Sequence, residues 1–298
     1  MFSNGYLSVD NANRLRDEGR AKILQLTPKS QSSLVLFRIL LGGVKIDAGG
    51  RTAIQSNNFF VIDFPKINGF TINSDILRAF PGLGEQDRFG NFLSYTVAAS
   101  LDRFFRATGT NKGFFEVLLN EMARSFVASS TGNDLSAFVY VYRALEHMSY
   151  ALPFFHARHA NNYVKAFNDL RNLIASGDAE LKFCDKFIGY LFSGDPVFSS
   201  HKYRFKFDGG FSTKYEKYLK NVHSRHCTIN SSVVEIPFLQ SFGFLVDVRN
   251  KFFHHLSGSN QSASSREIED ADVFFRPINR VAWSIISLVL GRMIAAEM

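Results

Sequence analysis

The sequence predicts an α+β protein in which a small α+β module precedes an all-helical bundle. Before residue 110, short apolar runs are separated by turn signals that contain glycine or proline, as expected for strands. After Gly113, longer segments carry apolar residues at helical spacing. Between roughly residues 199 and 235 the pattern becomes strand-like again. We therefore predict two domains, residues 1–110 and residues 111–298, with this β-hairpin-like segment as an insertion in the second.

The N-terminal module contains three apolar runs of strand-like length, and a helical pattern over residues 11–25 precedes them. Turn signals such as Gly42-Gly43 and Pro65 end these runs. The predicted strands are residues 34–41, 44–46 and 58–64. No motif in this module indicates a chemistry, so its role stays open.

Six helices are predicted in the C-terminal domain. Their boundaries follow capping and breaking signals: Asn133 or Asp134 caps the second helix, Pro153 ends it, and Pro237 opens the fifth. The predicted helices are residues 114–129, 135–152, 157–176, 179–192, 238–256 and 277–296. In the insertion, residues 202–207 alternate and then reach a turn at 208–210, which predicts a hairpin.

The composition favours a globular protein with an anionic partner. Hydrophobic residues make up 46% of the chain, which excludes global disorder, and a net charge of +7 favours RNA or another polyanion. The 32 phenylalanines suggest that some rings serve an interface. Two cysteines allow one disulfide but no disulfide framework. The longest apolar stretch, residues 281–291, is too short to span a bilayer, so we expect a soluble, cytoplasmic protein without a membrane partner.

The fifth predicted helix carries the residues that suggest a chemistry. Asp247, Asn250 and His254 share one side of it, whereas Arg249 lies on an otherwise apolar stripe. An arginine in such surroundings needs a carboxylate, a backbone acceptor or a phosphate. A histidine in the last turn of a helix has a raised pKa because of the helix dipole. Arginine can stabilise the negative charge on phosphoryl oxygens, while histidine can transfer the proton of a 2′-OH or of a leaving group.

We therefore take Arg249 and His254 as a candidate catalytic pair. Asn250 is a candidate phosphate or orienting contact, and Glu146 a candidate partner of Arg249. The alternatives are a structural arginine with a capping histidine, a surface asparagine, and a local pair between Glu146 and Arg143.

The run Arg249-Asn250-Lys251-Phe252-Phe253-His254 resembles the R-N-x-x-x-H signature of HEPN domains, which are small helical bundles that include many ribonucleases of toxin and phage-defence systems. The context is similar as well, because the run ends a late amphipathic helix and a polar loop and another apolar helix follow it. Glu146 matches the inward acidic position of the family's second helix. The resemblance covers roughly residues 112–298, and the N-terminal module resembles those of Apea-type proteins.

The resemblance implies a metal-independent endoribonuclease without a cofactor that leaves 2′,3′-cyclic phosphate ends. It also implies a homodimer through the C-terminal helices, with one motif from each subunit lining a shared cleft, and an antitoxin or regulatory protein as a further partner. Some toxins of the family carry a tyrosine two residues after the histidine, which a partner enzyme modifies. This sequence has Leu256 there.

In the insertion, cationic residues alternate with aromatic residues. This combination is typical of surfaces that bind single-stranded RNA. The candidate RNA-binding residues are Lys202, Arg204, Lys206, Lys214 and Lys217, with Tyr203, Phe205, Phe207, Phe211, Tyr215 and Tyr218 between or beside them. The alternative is an amphipathic hairpin whose rings lie in the core. His223, His226 and Cys227 suggest zinc, but no second ligand pair has matching spacing, so no metal is expected.

Three functions remain open at this point. The leading one is a ribonuclease that acts as a toxin or anti-phage effector. The alternatives are a non-catalytic HEPN module that binds RNA, nucleotide or a partner protein, and a purely structural dimerisation domain. The first depends on Arg249 and His254 together.

Overall fold

The computed structural model describes residues 2–3, 8–11, 26–27, 29–41, 44–47, 54–55, 102–160, 162–175, 179–192, 199–207, 210–253 and 268–297. Most of these residues are helical, and antiparallel strands accompany them, which is an α+β architecture. The chain forms two compact units, the first of residues 1–130 and 286–298, the second of residues 131–285. The predicted division into domains near residue 110 stays a prediction.

The first unit combines short strands with helices. Its described residues form strands β1 (Phe2–Ser3), β2 (Ser8–Asn11), β3 (Val44–Asp47) and β4 (Ile54–Gln55), which pair antiparallel in that order. Helix α1 (Ser32–Leu41) packs on helix α2 (Lys112–Ser130), which follows a 3-10 turn at Thr108–Asn111. The strand predicted at 44–46 is confirmed. The predicted strand at 58–64 and all but the first residue of the predicted helix at 11–25 lie outside the described residues.

The prediction of a strand at residues 34–41 is wrong, because this run lies in helix α1. Val35, Leu36, Ile39 and Leu40 are all buried. A helix that is apolar on most sides has no alternation that could distinguish it from a buried strand. Arg38 is also buried there, and burial lowers the pKa of its guanidinium to about 10.

The second unit is a helical bundle with a small sheet. Its helices are α3 (Asp134–Ser149), α4 (Leu152–His159), α5 (Tyr163–Ala175), α6 (Ala179–Phe192), α7 (Ser212–Val222), α8 (Phe238–Phe253) and the first part of α9 (Ala271–Glu297). The predicted helix at 157–176 is in fact two helices, because Pro153 starts α4 and α5 begins only at Tyr163. Helix α9 begins before Pro277, since Asp270 Oδ1 accepts a hydrogen bond from the Val273 backbone N–H at 3.0 Å.

The insertion forms a three-stranded sheet rather than the predicted local hairpin. Strand β5 (Lys202–Phe205) pairs with β7 (Val233–Pro237), which also pairs with β6 (Thr228–Asn230). Helix α7 separates β5 from β6 along the chain, so the predicted hairpin around residues 208–210 is wrong. The actual hairpin joins β6 to β7 through Ser231 and Ser232, which have φ angles of 49° and 64° and so suit a tight turn.

The start of helix α9 packs into an aromatic cluster with the insertion. The Phe274 ring lies 5.5 Å from Phe207, 5.4 Å from Tyr215 and 5.8 Å from Tyr218, centroid to centroid. These rings are all buried. The insertion is therefore part of the core of the second unit, and part of the high phenylalanine content serves this core.

The apolar residues of helix α9 are buried within the single chain. They are Val281, Ala282, Trp283, Ile285, Ile286, Leu288, Val289 and Leu290. The segment Ala271–Gly291 is long and apolar enough to cross a membrane. However, 78% of its most apolar stretch is buried within the protein, as in a core helix. These residues therefore do not require a partner subunit to cover them.

Candidate functional site

Helices α3 and α8 bring together three of the side chains that matter for a phosphate site. The Arg249 Nη2 atom lies 3.7 Å from Glu146 Oε1, and both side chains are about one-third exposed, at 31% and 36%. The Arg249 Cζ atom lies 5.4 Å from the centroid of the Tyr142 ring, within the range of a cation–π contact. Since Tyr142 and Glu146 are one helical turn apart, both face the same guanidinium.

Asn250 orients the guanidinium from the same helix. Arg249 Nη1 donates a hydrogen bond to Asn250 Oδ1 at 3.0 Å. Asn250 is itself exposed. Glu146, Asn250 and Tyr142 thus hold Arg249 in place. Part of the guanidinium remains accessible to solvent, and such an arrangement suits the binding of an oxyanion.

Tyr142 is a site residue that the sequence reasoning missed. It is buried, and its hydroxyl has no hydrogen-bond partner among the described residues. Burial raises the pKa of Tyr142, which the nearby Arg249 opposes, so the hydroxyl remains protonated at neutral pH. Its position four residues before Glu146 was the signal that could have identified it.

His254 lies outside the described residues, as do His255 and Leu256. Helix α8 is described as far as Phe253, whose ring stacks on Phe138 with a centroid distance of 6.4 Å. The role of the predicted pair of Arg249 and His254 thus stays a prediction.

A second ion-pair cluster lies on another face of helix α8, around Asp247. This buried carboxylate contacts His223 Nδ1 at 2.8 Å, Arg225 Nη2 at 2.8 Å and Lys251 Nζ at 3.6 Å. Burial alone would raise the pKa of Asp247, but His223, Lys251 and Arg225 together hold it below its ordinary value. Asp247, which the helical wheel placed on the polar side with Asn250, is therefore a buried anchor of helix α8.

His223 is fully buried, so it cannot reach a substrate. Its Nε2 atom lies 3.4 Å from the Tyr218 hydroxyl, and burial lowers its pKa. Nearby, the His226 ring packs on helix α8 at Gly243, where an added Cβ would meet His226 Cε1 at 3.0 Å. This close approach explains a glycine inside the helix.

Neither cysteine behaves as a reactive thiol or a disulfide partner. Cys184 and Cys227 are buried and form no disulfide with each other, and burial raises the pKa of Cys227 to about 11. Among the residues that the structure describes, no group of three or more His, Cys, Asp or Glu side chains is arranged to hold a metal ion.

The candidate RNA-binding cations of the insertion differ in their surroundings. Lys202 Nζ and Arg204 Nε both contact Glu235, at 3.0 Å and 2.8 Å, across the β5–β7 pair. Lys214 forms an ion pair with Glu269, whereas Lys206 and Lys217 are exposed. Most of the aromatic rings expected to stack on bases beside these cations cannot do so, because Tyr203, Phe207, Tyr215 and Tyr218 are buried.

The first unit has a cavity of about 360 Å³ beside the start of helix α1. Lys29 and Lys112 are among its lining residues. The hydroxyls of Ser33 and Thr108 lie 2.7 Å apart at its wall, and Thr108 also donates to Gln31 Oε1 at 2.9 Å. These hydroxyls are therefore satisfied within the protein, and the cavity by itself indicates no chemistry.

Helix α8 thus carries a partly exposed arginine, Arg249, on one face and a buried carboxylate anchor, Asp247, on another. The first arrangement can bind a phosphate, and the second fixes the helix that presents it. The chain matches no protein-family model, no curated protein and no solved structure.

Proposed function

We propose that this protein is a metal-independent endoribonuclease of the HEPN type that acts as a toxin or anti-phage effector. The observation that carries the proposal is the setting of Arg249, which is about one-third exposed and held by Glu146 at 3.7 Å and by Asn250 at 3.0 Å. His254, five positions further along the sequence, supplies the second half of the R-N-x-x-x-H motif.

In the proposed reaction, the guanidinium of Arg249 binds the phosphoryl oxygens of the scissile phosphodiester and stabilises the charge that develops on them. His254 transfers the proton of the 2′-OH or of the leaving group. The 2′-oxygen attacks phosphorus, the bond from phosphorus to the 5′-oxygen breaks, and the 5′-oxygen takes up a proton. The products are a 2′,3′-cyclic phosphate and a 5′-hydroxyl.

The ion pair between Arg249 and Glu146 suits this role because its N···O distance is long. A distance of 3.7 Å is longer than a hydrogen bond, so an arriving phosphate can replace part of the interaction without a large rearrangement. The ring of Tyr142 and the amide of Asn250 keep the guanidinium oriented during that exchange.

A homodimer through the C-terminal helices remains part of the proposal, so that two motifs line one cleft. The apolar residues of α9 no longer support it, since they are buried within one chain. Support comes instead from Phe253, which lies on the same stripe of helix α8 as Arg249 and is 41% exposed. An exposed ring beside the site is a suitable contact for a second copy.

A second candidate, a non-catalytic module that binds RNA or a partner protein, is favoured by one observation. Arg249 already interacts with Glu146, Asn250 and Tyr142, and a purely structural arginine would make the same contacts. Such a protein would bind RNA without cutting it.

Incubation of the purified full chain with total RNA in EDTA, followed by mapping of the ends, tests the proposal. We expect 2′,3′-cyclic phosphate ends for the wild type and none for His254→Ala or Arg249→Ala. His255→Ala is the matched control for the histidine and Arg280→Ala, an exposed arginine on α9, for the arginine. Cleavage by His254→Ala at the wild-type rate would overturn the catalytic proposal in favour of the binding module.

A further inference from the structure

The connected helices α4 and α5, together with the end of α3, expose an unusual group of aromatic side chains. Tyr163 is 80% exposed, Phe154 78% and Phe167 63%. Tyr150, which directly follows α3, and Val164 on α5 are exposed as well. We call these five residues the α4–α5 aromatic face. Helices α4 and α5 pack against each other, so the rings belong to neighbouring elements.

The rings lie on helical stripes that end in arginine. On α5, Tyr163, Phe167 and Arg171 follow each other at intervals of four residues, and on α4 Phe154 and Arg158 do the same. Both arginines are exposed. Each stripe therefore presents rings followed by a cation along one side of its helix.

The charge of this region is positive. Between residues 150 and 175 the cations are Arg158, Lys165 and Arg171, and Asp169 is the single carboxylate of that stretch of sequence. Asp169 Oδ2 lies 3.3 Å from His156 Nε2, which directs this carboxylate toward a buried histidine. The face thus combines planar apolar groups with cations and suits an anionic ligand that has planar groups of its own.

We propose that the α4–α5 aromatic face binds single-stranded nucleic acid, with unpaired bases stacked on Phe154, Tyr163 and Phe167 and with phosphates near Arg158 and Arg171. Proteins that hold single strands without sequence preference use this combination of exposed rings and a basic rim. This binding does not require the nuclease function. It rests on the proposed function only in one respect, which is that the bound strand is then the RNA substrate.

The insertion, where the sequence suggested RNA binding, is less suited to it than this face. Tyr203, Phe207 and Tyr215 are buried in the core, so they cannot stack on bases. A second copy of the chain would also bury exposed rings, but Arg158 and Arg171 beside the rings would repel their symmetry mates in a two-fold contact. Charge complementarity therefore favours a polyanion.

Fluorescence anisotropy with labelled strands that the protein cannot cut tests the proposal. The probes are 2′-O-methyl oligouridine, oligothymidine and a duplex of the same length. We expect the full-length wild type to bind both single strands, and the duplex less tightly, because stacking needs unpaired bases. Equal binding of both single strands would identify unpaired nucleotides in general as the ligand, and preference for the ribose strand would identify RNA.

The decisive variant is Tyr163→Ser with Phe167→Ser. Loss of one stacked base typically weakens binding about tenfold or more, so this double variant should bind at least tenfold more weakly. The double variant Arg158→Gln with Arg171→Gln should instead lower the salt slope of binding by about 1.4. The controls are Val117→Ser, an exposed apolar residue of the first unit, and Lys186→Gln, an exposed lysine of α6.

Wild-type binding by the ring variant would overturn the proposal. If that variant instead changes the molar mass in light scattering, the face is a contact between copies. Phe154→Ser alone provides a second test should the double variant lose its helical circular dichroism. Because the probes cannot be cut, binding and cleavage are tested separately. If the wild type cleaves RNA and the ring variant binds the probes as the wild type does, only the binding role of the aromatic face is refuted. If the wild type binds the probes but cleaves no RNA, only the nuclease function is refuted.

Discussion

Asp247 and Arg249 are separated by a single residue on helix α8, yet they belong to different ion-pair clusters. Two residues correspond to a rotation of about 200° around a helix, so the side chains point to nearly opposite sides. Asp247 contacts His223 and Arg225 at 2.8 Å, whereas Arg249 faces Glu146 at 3.7 Å. The helix that carries the candidate motif is therefore anchored from two directions, and each anchor can be removed separately.

Removal of the Asp247 anchor should destabilise the protein more than removal of Glu146. Asp247→Asn leaves the buried His223 and two cations without their carboxylate, which typically costs about 1–3 kcal/mol. Glu146→Gln removes a half-exposed pair whose contribution is about 1 kcal/mol or less after solvent screening. Urea unfolding of both variants measures the difference. The reverse order would contradict the assignment of Asp247 as the stronger anchor.

Stability should fall in acid because of the same cluster. Burial lowers the pKa of His223 from 6.5, so in mild acid His223 binds a proton in the unfolded chain but not in the folded chain. His223 therefore stabilises the fold above about pH 6.5, and this contribution is lost as the pH falls from about 7 to 5. His226, whose pKa burial also lowers, acts in the same direction. Lys251 and Arg225 near His223 also disfavour its protonation, while Asp247 opposes them.

The measurement is the free energy of unfolding as a function of pH for the wild type, His223→Gln and His226→Gln. The His223 variant should lose part of the slope between about pH 7 and pH 5. The His226 variant should also lose part of it and so separates the two contributions. An unchanged slope in the His223 variant would mean that His223 binds its proton equally well in the folded and the unfolded chain, so that its pKa is not lowered by folding.

Where local patterns determine an element, the sequence predicted it well. Helix α6 was predicted as residues 179–192, the same bounds that the structure has. Capping and breaking residues also identified α2, α3 and α8 to within a few residues. Elements that depend on partners far along the chain were missed. Strand β5 was recognised, but its partner β7 follows only after helix α7, and alternation cannot reveal which strand pairs with which.

The same limit applies to the candidate site. The apolar surroundings of Arg249 on the wheel indicated that it needs a partner, and Glu146 is indeed beside it. The wheel also placed Asp247 on one polar side with Asn250 and His254, but it could not show that His223 and Arg225, 24 and 22 residues earlier in the chain, contact Asp247. A helical wheel shows which side chains share a face but not which element packs on that face.

Charge reversal in the insertion should separate structural cations from binding cations. Arg204 is directly opposite Glu235 in the β5–β7 pair, so Arg204→Glu places two like charges face to face and should weaken the sheet. Lys206→Glu changes an exposed residue outside the strand and should leave stability within about 0.5 kcal/mol of the wild type. Thermal unfolding tests both. Loss of RNA binding by Lys206→Glu with unchanged stability would identify Lys206 as an RNA contact.

The proposed dimer should depend on Phe253 and not on the interior of α9. Phe253 is 41% exposed, so Phe253→Ser should lower the molar mass in light scattering toward that of a monomer and leave most of the stability intact. Tyr163→Ser, on the other exposed aromatic face of the second unit, is the matched control and should not change the mass. A wild type that is monomeric at micromolar concentration would contradict the shared cleft.

Substitution of Tyr142 should distinguish the roles of its ring and its hydroxyl. The ring lies under the Arg249 guanidinium at 5.4 Å, whereas the buried hydroxyl has no partner among the described residues. Tyr142→Phe keeps the ring and removes an unsatisfied group, so stability should be unchanged or higher by up to about 1 kcal/mol. RNA cleavage should stay within about twofold, because the ring and not the hydroxyl positions Arg249.

Tyr142→Leu fills part of the same space but cannot form the cation–π contact. Arg249 would then be held only by Glu146 and Asn250, so we expect a higher KM for RNA and a smaller change in kcat, as for a residue that positions a binding group. Steady-state cleavage of a short labelled RNA by both variants gives these values, with thermal unfolding as the check on the fold. A loss of more than about tenfold in kcat for Tyr142→Phe would show that the hydroxyl takes part in the reaction, since the ring beneath Arg249 is still present in that variant.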